Sequence, residues 1–188
     1  TVGGFSSARA INANLPVAGF STVSFRDDVA DAVETCTDDE SRGDTSEGRC
    51  LFTIYNGDFA VPRISSYFIN SSTNYLPSFV LLSEVNATIW QIDVNGDVIS
   101  TDTYPLLFEP DEDDTRHYFT YAYDINNQGI AVGEGLTGDR ITITRPNTSG
   151  RTESERVATV FRDGETIELL PREENIISQA IAINDENW

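Results

Sequence analysis

Short segments ending in Ile-Asn return along this chain at nearly even intervals, and they limit its fold more than any other feature. Ala8-Arg9-Ala10-Ile11-Asn12, Ala122-Tyr123-Asp124-Ile125-Asn126 and Ala180-Ile181-Ala182-Ile183-Asn184 share their apolar and Asn positions, and Ser66-Tyr67-Phe68-Ile69-Asn70 is a fainter copy. The Asn residues stand about 57 positions apart, and self-similarity at such a period signals units that bury their apolar faces against one another. Val17-Ala18-Gly19 follows the first copy and Ala131-Val132-Gly133 the second, at the same offset.

A second element recurs between them. Ala87-Thr88-Ile89-Trp90 leads to Asn95-Gly96, and Ala158-Thr159-Val160-Phe161 leads to Asp163-Gly164. Asn-Gly and Asp-Gly after alternating β-branched or aromatic residues signal a hairpin whose two central residues take positive φ. The run Cys50 to Tyr55 before Asn56-Gly57 reads as an earlier hairpin of the same kind. In the Ile-Asn step, Ala and Ile alternate onto one face, and Asn turns the chain by bonding its own backbone. Gly129 completes such a turn; Leu15, Thr73 and Asn187 hold its place in the other copies. Each unit thus reads as four short antiparallel strands. The expected fold is all-β, a β-propeller-like array of repeats with a β-sandwich as the alternative. Residues 1–188 are expected to be one repeat domain cut from a longer chain, because the last copy stops at Trp188.

Hydrophobic content of 39% with 10% aromatics is enough for a packed core. Against 31 acidic residues stand 12 basic ones, for a net charge of −19. A surface so negative repels nucleic acid and anionic lipid. No run of about 18 apolar residues is present to span a membrane. Every basic residue is Arg, and Lys and Met are both missing. Either the surface is acidic and lysine-poor, kept soluble by its charge, or modified Lys and Met stand outside the written sequence.

Cys36 and Cys50 flank a segment, 37–49, without a single apolar residue. Such a segment cannot hold itself down by burial and reads as a solvated loop. A disulfide closing it would add about 3 kcal/mol in the chain-entropy view, the alternative being two unrelated buried thiols. The bridge implies an oxidising setting, namely periplasm, cell surface or medium. Thr1 opens without a basic-then-apolar leader, so any signal peptide is expected to have been removed already.

With these residues in view, the sequence resembles the HAF-type extracellular repeat family and the uncharacterised secreted bacterial proteins that carry its copies. The likeness rests on Tyr123-Asp124-Ile125-Asn126-Asn127-Gln128-Gly129-Ile130-Ala131-Val132-Gly133 and on the strand-turn elements around it. It is clear over 87–188, partial over 1–25 and weak over 26–80. The resemblance implies a propeller-like repeat at or outside the cell surface and transfers no catalytic residue.

Several constellations are candidates for chemistry. Asp93-Val94-Asn95-Gly96-Asp97 places oxygens at alternate positions like the start of a calcium loop, but Tyr104 stands where the closing Glu belongs. A hairpin turn explains it as well. The acidic run Glu109-Pro110-Asp111-Glu112-Asp113-Asp114 and the group Asp27, Asp28 and Asp31 are further places for weak calcium binding; no other cofactor and no resident metal is expected. His117 has Ser65, Ser66 and Thr120 as candidate hydroxyl partners, yet no nucleophile elbow is present. Asn70, Asn86 and Asn147 head glycosylation-type triplets. Tyr118, Phe119, Tyr121 and Tyr123 could form an aromatic platform for sugar, whereas Trp90 and Phe161, at matching positions, read as core. The chain is therefore expected to be a secreted or cell-surface binding or structural module, leaning away from enzyme. The polar segments 37–49 and 109–116 would be its working edges. Its partner would be an unidentified extracellular ligand, glycan or protein, with no nucleic acid, no membrane span and oligomeric state open. The alternative is an extracellular hydrolase acting on polysaccharide through paired carboxylates.

Overall fold

A computed structural model describes residues 6–25, 27–56, 83–111, 118–143, 151–169 and 177–186. They fall into two compact units, one from Ser6–Ser21 with Val85–Trp188, the other from Thr1–Phe5 with Thr22–Glu84.

In the first unit the strands form two four-stranded antiparallel sheets, each in chain order. One contains β1 (Ser6–Ile11), β2 (Pro16–Phe25), β3 (Ser83–Ile92) and β4 (Val98–Thr103). The other contains β5 (Thr120–Ile125), β6 (Ala131–Ile143), β7 (Arg151–Arg162) and β8 (Glu165–Glu168). Neither closes into a barrel, and the described residues form no propeller ring. A shared core joins them, with Ala18, Ala87, Ile89 and Tyr104 from the first sheet against Ala122, Ile125, Ala131 and Phe161 from the second. That is a sandwich-like arrangement.

The two sheets pair in the same register. In β1–β2, Ala8 faces Gly19, Ala10 faces Ala18 and Ile11 faces Val17. In β5–β6 the corresponding pairs are Ala122 with Gly133, Asp124 with Val132 and Ile125 with Ala131, each displaced by 114 positions. Both hairpins carry a bulge at the same place, and it explains the glycines. A Cβ on Gly19 would lie 2.0 Å from the Ser7 carbonyl oxygen, and one on Gly133 would lie 1.8 Å from that of Tyr121. Close backbone approach, not positive φ, fixes glycine there. The second hairpins agree as well: Trp90 faces Thr101 in β3–β4, and Phe161 faces Thr166 in β7–β8.

The turns differ from expectation in one respect. Asp163 and Gly164 have φ of 54° and 80°, the two positive values a two-residue hairpin turn requires. At Asn95-Gly96 only Gly96 is positive, at 90°. The loop instead starts at Asp93, whose N–H donates to the Asp97 carbonyl and whose own carbonyl accepts from Gly96 N–H. The turn after Asn126 is built the same way, with Gly129 N–H donating to Asn126 O and Asn126 N–H to Ile130 O.

The second unit departs from the all-strand expectation. Residues 27–56 form three helices: α1 (Asp27–Thr37), α2 (Asp39–Arg42) and α3 (Glu47–Asn56). The run from Cys50 to Tyr55 is therefore helical rather than a strand, and Asn56 ends a helix rather than opening a hairpin turn. Val29, Ala32, Val33 and Cys36 recur at helical spacing and meet Cys50, Leu51 and Ile54 in a small cluster. The segment 37–49 is exposed as its composition requires, but it is not simply a loop: it holds the end of α1, all of α2 and the first turn of α3. Asp38 caps α2 through Ser41 N–H at 2.7 Å, which lowers its pKa. Arg42 donates to the carbonyls of Cys36 and Thr45, both at 2.8 Å, and pairs with Asp39.

Cys36 and Cys50 are joined by a disulfide with their Cα atoms 5.5 Å apart. The bridge ties α1 to α3 and closes the polar segment between them, which limits the freedom of the unfolded chain. Reducing it, or replacing both residues by Ser, is expected to cost this unit about 3 kcal/mol. Hydrogen exchange would then accelerate across α1 and α3 while β5–β7 keep their protection.

Candidate functional site

The Ile-Asn corners are the most organised polar feature among the described residues. At the second corner, Asn126 Oδ1 accepts from Gln128 N–H at 3.1 Å and Ile130 N–H at 3.0 Å. Asn12 Oδ1 accepts likewise from Asn14 N–H, and Asn184 Oδ1 from Glu186 N–H. Their side-chain amides point onward: Asn12 Nδ2 donates to the Asn126 carbonyl, and Asn126 Nδ2 to the Asn184 carbonyl at 3.3 Å. Two residues further on the pattern repeats, with Asn14 Nδ2 donating to Asn127 O and Gln128 Nε2 to Asp185 O. Three corners are thus strung in one direction by matching amide-to-carbonyl bonds. Leu15 reaches the turn position of Gly129 at φ 69°, a conformation that strains a side chain other than glycine. Asn70 and Thr73 lie outside the described residues.

Beside the second corner lies a buried carboxylate that sequence reading did not single out. Glu134 on β6 is 2% exposed, accepts from Tyr123 Oη and Gln179 Nε2, each at 2.5 Å, and has Arg156 at 3.8 Å. With 31 acids in the chain, nothing local marked this one. Its strand register, facing Tyr121, is the only clue. Gln179 belongs to the stretch 177–186, which is fastened further by Ala180 N–H to Gly133 O, Ser178 N–H to Arg156 O and Ile183 N–H to Asp124 Oδ2. A second buried carboxylate, Glu155, accepts from Thr137 Oγ1 at 2.9 Å. Both acids therefore serve as acceptors within the fold.

Burial pushes the Tyr121 hydroxyl up to about 12, helped by the charge of Glu134 and opposed by Arg9. Tyr123 is raised further, by burial first and then by its bond to Glu134. Raised tyrosines keep their protons in the folded protein after the unfolded chain has lost them. Their stabilising contribution is therefore complete below pH 10.0 and declines as pH climbs from there toward 12. An ultraviolet titration is expected to show tyrosines that ionise only as the protein unfolds, and Tyr123→Phe to remove one of them.

The other candidates resolve as follows. Asp93 is held within its own turn, Oδ1 accepting from Asn95 and Asp97 N–H and Oδ2 from Asn95 Nδ2, and the Asp97 bond chiefly lowers its pKa. Asp31 is exposed on α1; the side chains of Asp27 and Asp28 lie outside the description, as do residues 112–117, His117 among them, and Ser65 and Ser66. No cluster of three potential metal-binding side chains occurs among the described residues. Thr120 is fully buried and its Oγ1 accepts from Ala87 N–H. Asn86 and Thr88 are buried too, which closes that glycosylation triplet to modification; Asn70 and Asn147 are outside the description.

The aromatic residues pack on one another. Tyr121 stacks on Phe119 at 4.1 Å and 12° and meets Phe20 at 4.2 Å, while Arg9 covers Phe20 at 5.0 Å. Phe108 meets Tyr118 edge-on at 4.7 Å. The faces by which Phe119 and Tyr121 stack on each other are not free to receive a sugar, and Tyr123 is tied by its hydroxyl to Glu134. Phe161 fills the core against Tyr104, whereas Trp90 is half-buried.

One family model, described as a protein of unknown function (DUF3466), matches residues 1–188. No curated protein and no solved structure matches the chain.

Proposed function

Because the chain belongs over its whole length to the DUF3466 family, we propose a role that rests on architecture: an extracytoplasmic repeat module that presents loops for binding or serves as structural filling. The observation that carries this reading is the directional string of corners from Asn12 through Asn126 to Asn184. Identical bonds at displaced positions are what duplicated units stacked on one another would make. In this reading each open four-stranded sheet is one repeat, about 57 residues long once the helical segment is set aside, of the kind the HAF-type resemblance implies. The helical unit is then an insertion between the second and third strands of the first copy. The disulfide supports a working place outside the reducing cytoplasm.

Two measurements test this. Thiols trapped by alkylation before the source cells are broken should be absent from the native chain; two free thiols would overturn the extracytoplasmic placement. Incubation with a panel of polysaccharides should release no sugar. Turnover lost on Glu134→Gln, with melting temperature unchanged, would replace the module by a hydrolase.

A further inference from the structure

The two sheets share one interface, and it is not symmetric. One side of the first sheet, with Ala18, Ala87 and Ile89, lies on the other side of the second sheet, formed by Ala122, Ile125, Ala131 and Phe161. The register makes Ala8, Ile11 and Val17 the counterparts of Ala122, Ile125 and Ala131. In the second hairpin these residues are 0%, 4% and 0% exposed; in the first, Ile11 is 56% exposed, and Ala8, Ile11 and Val17 line a shallow depression. The first hairpin therefore keeps open the surface that the second hairpin buries.

The complementary surface also exists. On the second sheet, the side bearing Asp124 and Glu134 is engaged by residues 177–186. That stretch, Ala180-Ile181-Ala182-Ile183-Asn184, has nearly the sequence of Ala8-Arg9-Ala10-Ile11-Asn12. It thus occupies, within the chain, the seat that fits the first hairpin.

We propose that the open face of the β1–β2 hairpin docks head-to-tail on the β5–β6 face of a second copy of this chain, in competition with residues 177–186. The contact continues the existing sheet-to-sheet interface on the hairpin side, where Ala8, Ile11 and Val17 stand for Ala122, Ile125 and Ala131, and the receiving face is the one that already seats the related stretch 177–186. Because different surfaces meet, the products are rings or open chains rather than two-fold dimers. The net charge of −19 opposes association, so added salt favours it. The inference stands whether or not the module works outside the cytoplasm.

Sedimentation velocity on the intact chain, from about 10 µM to about 1 mM, is the test. Mass should grow with concentration and with salt. Ile11→Asp, at an exposed site and with its melting temperature unchanged, should weaken association at least about tenfold. Gln179→Ala, which loosens the strap, should strengthen it by about the same factor. A chain that stays monomeric both as itself and as Gln179→Ala, or one whose association ignores Ile11→Asp, would overturn the proposal. So would association that salt suppresses.

Discussion

Gly133→Ala is expected to lower the stability of the two-sheet unit by about 3–4 kcal/mol, read from the midpoint of chemical denaturation. The added methyl would sit 1.8 Å from the Tyr121 carbonyl oxygen, and backbone on the bulged strand has to move to admit it. Moving that strand also disturbs the Tyr123 bond to Glu134 and the seat of Gln179. Gly19→Ala, at 2.0 Å from Ser7 O, should cost a similar amount. Gly129→Ala is the internal control. Nothing lies within 4 Å of its Cβ position, and only its φ of 82° resists a side chain, which costs about 1 kcal/mol. Equal losses at Gly129 and Gly133 would show that the close-approach argument is wrong.

Asn126→Ala should rank next, at about 3 kcal/mol, because one buried side chain joins two corners. It removes the acceptor for Gln128 and Ile130 N–H and the donor to Asn184 O. Asn126→Asp separates these roles. Its oxygen still closes the turn, but the second oxygen now faces the Asn184 carbonyl and carries charge into a site that is 3% exposed. Hydrogen exchange should then show the 120–131 hairpin protected and residues 177–186 released. If both substitutions leave 177–186 equally protected, the amide string does not hold the corners together.

The sheets were legible in the sequence because their signals are local. Ile-Asn corners, the Gly seven positions after Asn12 and Asn126, and the Asp163-Gly164 turn each depend on neighbours a few residues away. The string between corners was not legible, since bonds such as Asn12 to Asn126 span 114 positions and leave no mark nearby. Glu134 was hidden for the same reason: a buried acid differs from an exposed one only by what folds over it. The helices were missed differently. Val29, Ala32, Val33 and Cys36 carry a plain period of 3.6, but the run from Cys50 to Tyr55 is short and apolar, and such runs suit strand and helix alike. At Asn95-Gly96 the dipeptide alone suggested a two-residue turn, whereas the carboxylate of Asp93 selected a longer one.

That carboxylate also bears on how the molecule ages. Asn followed by Gly is the dipeptide most open to succinimide formation, in which the glycine nitrogen attacks the side-chain amide carbon and ammonia leaves. Here Gly96 N–H is committed to Asp93 O, and Asn95 Nδ2 is held by Asp93 Oδ2 at 3.0 Å. Both the attacking N–H and the amide it would attack are thus held in hydrogen bonds that must break before they can react. An exposed loop that looks chemically perishable on paper is thereby given a long shelf life by its first residue.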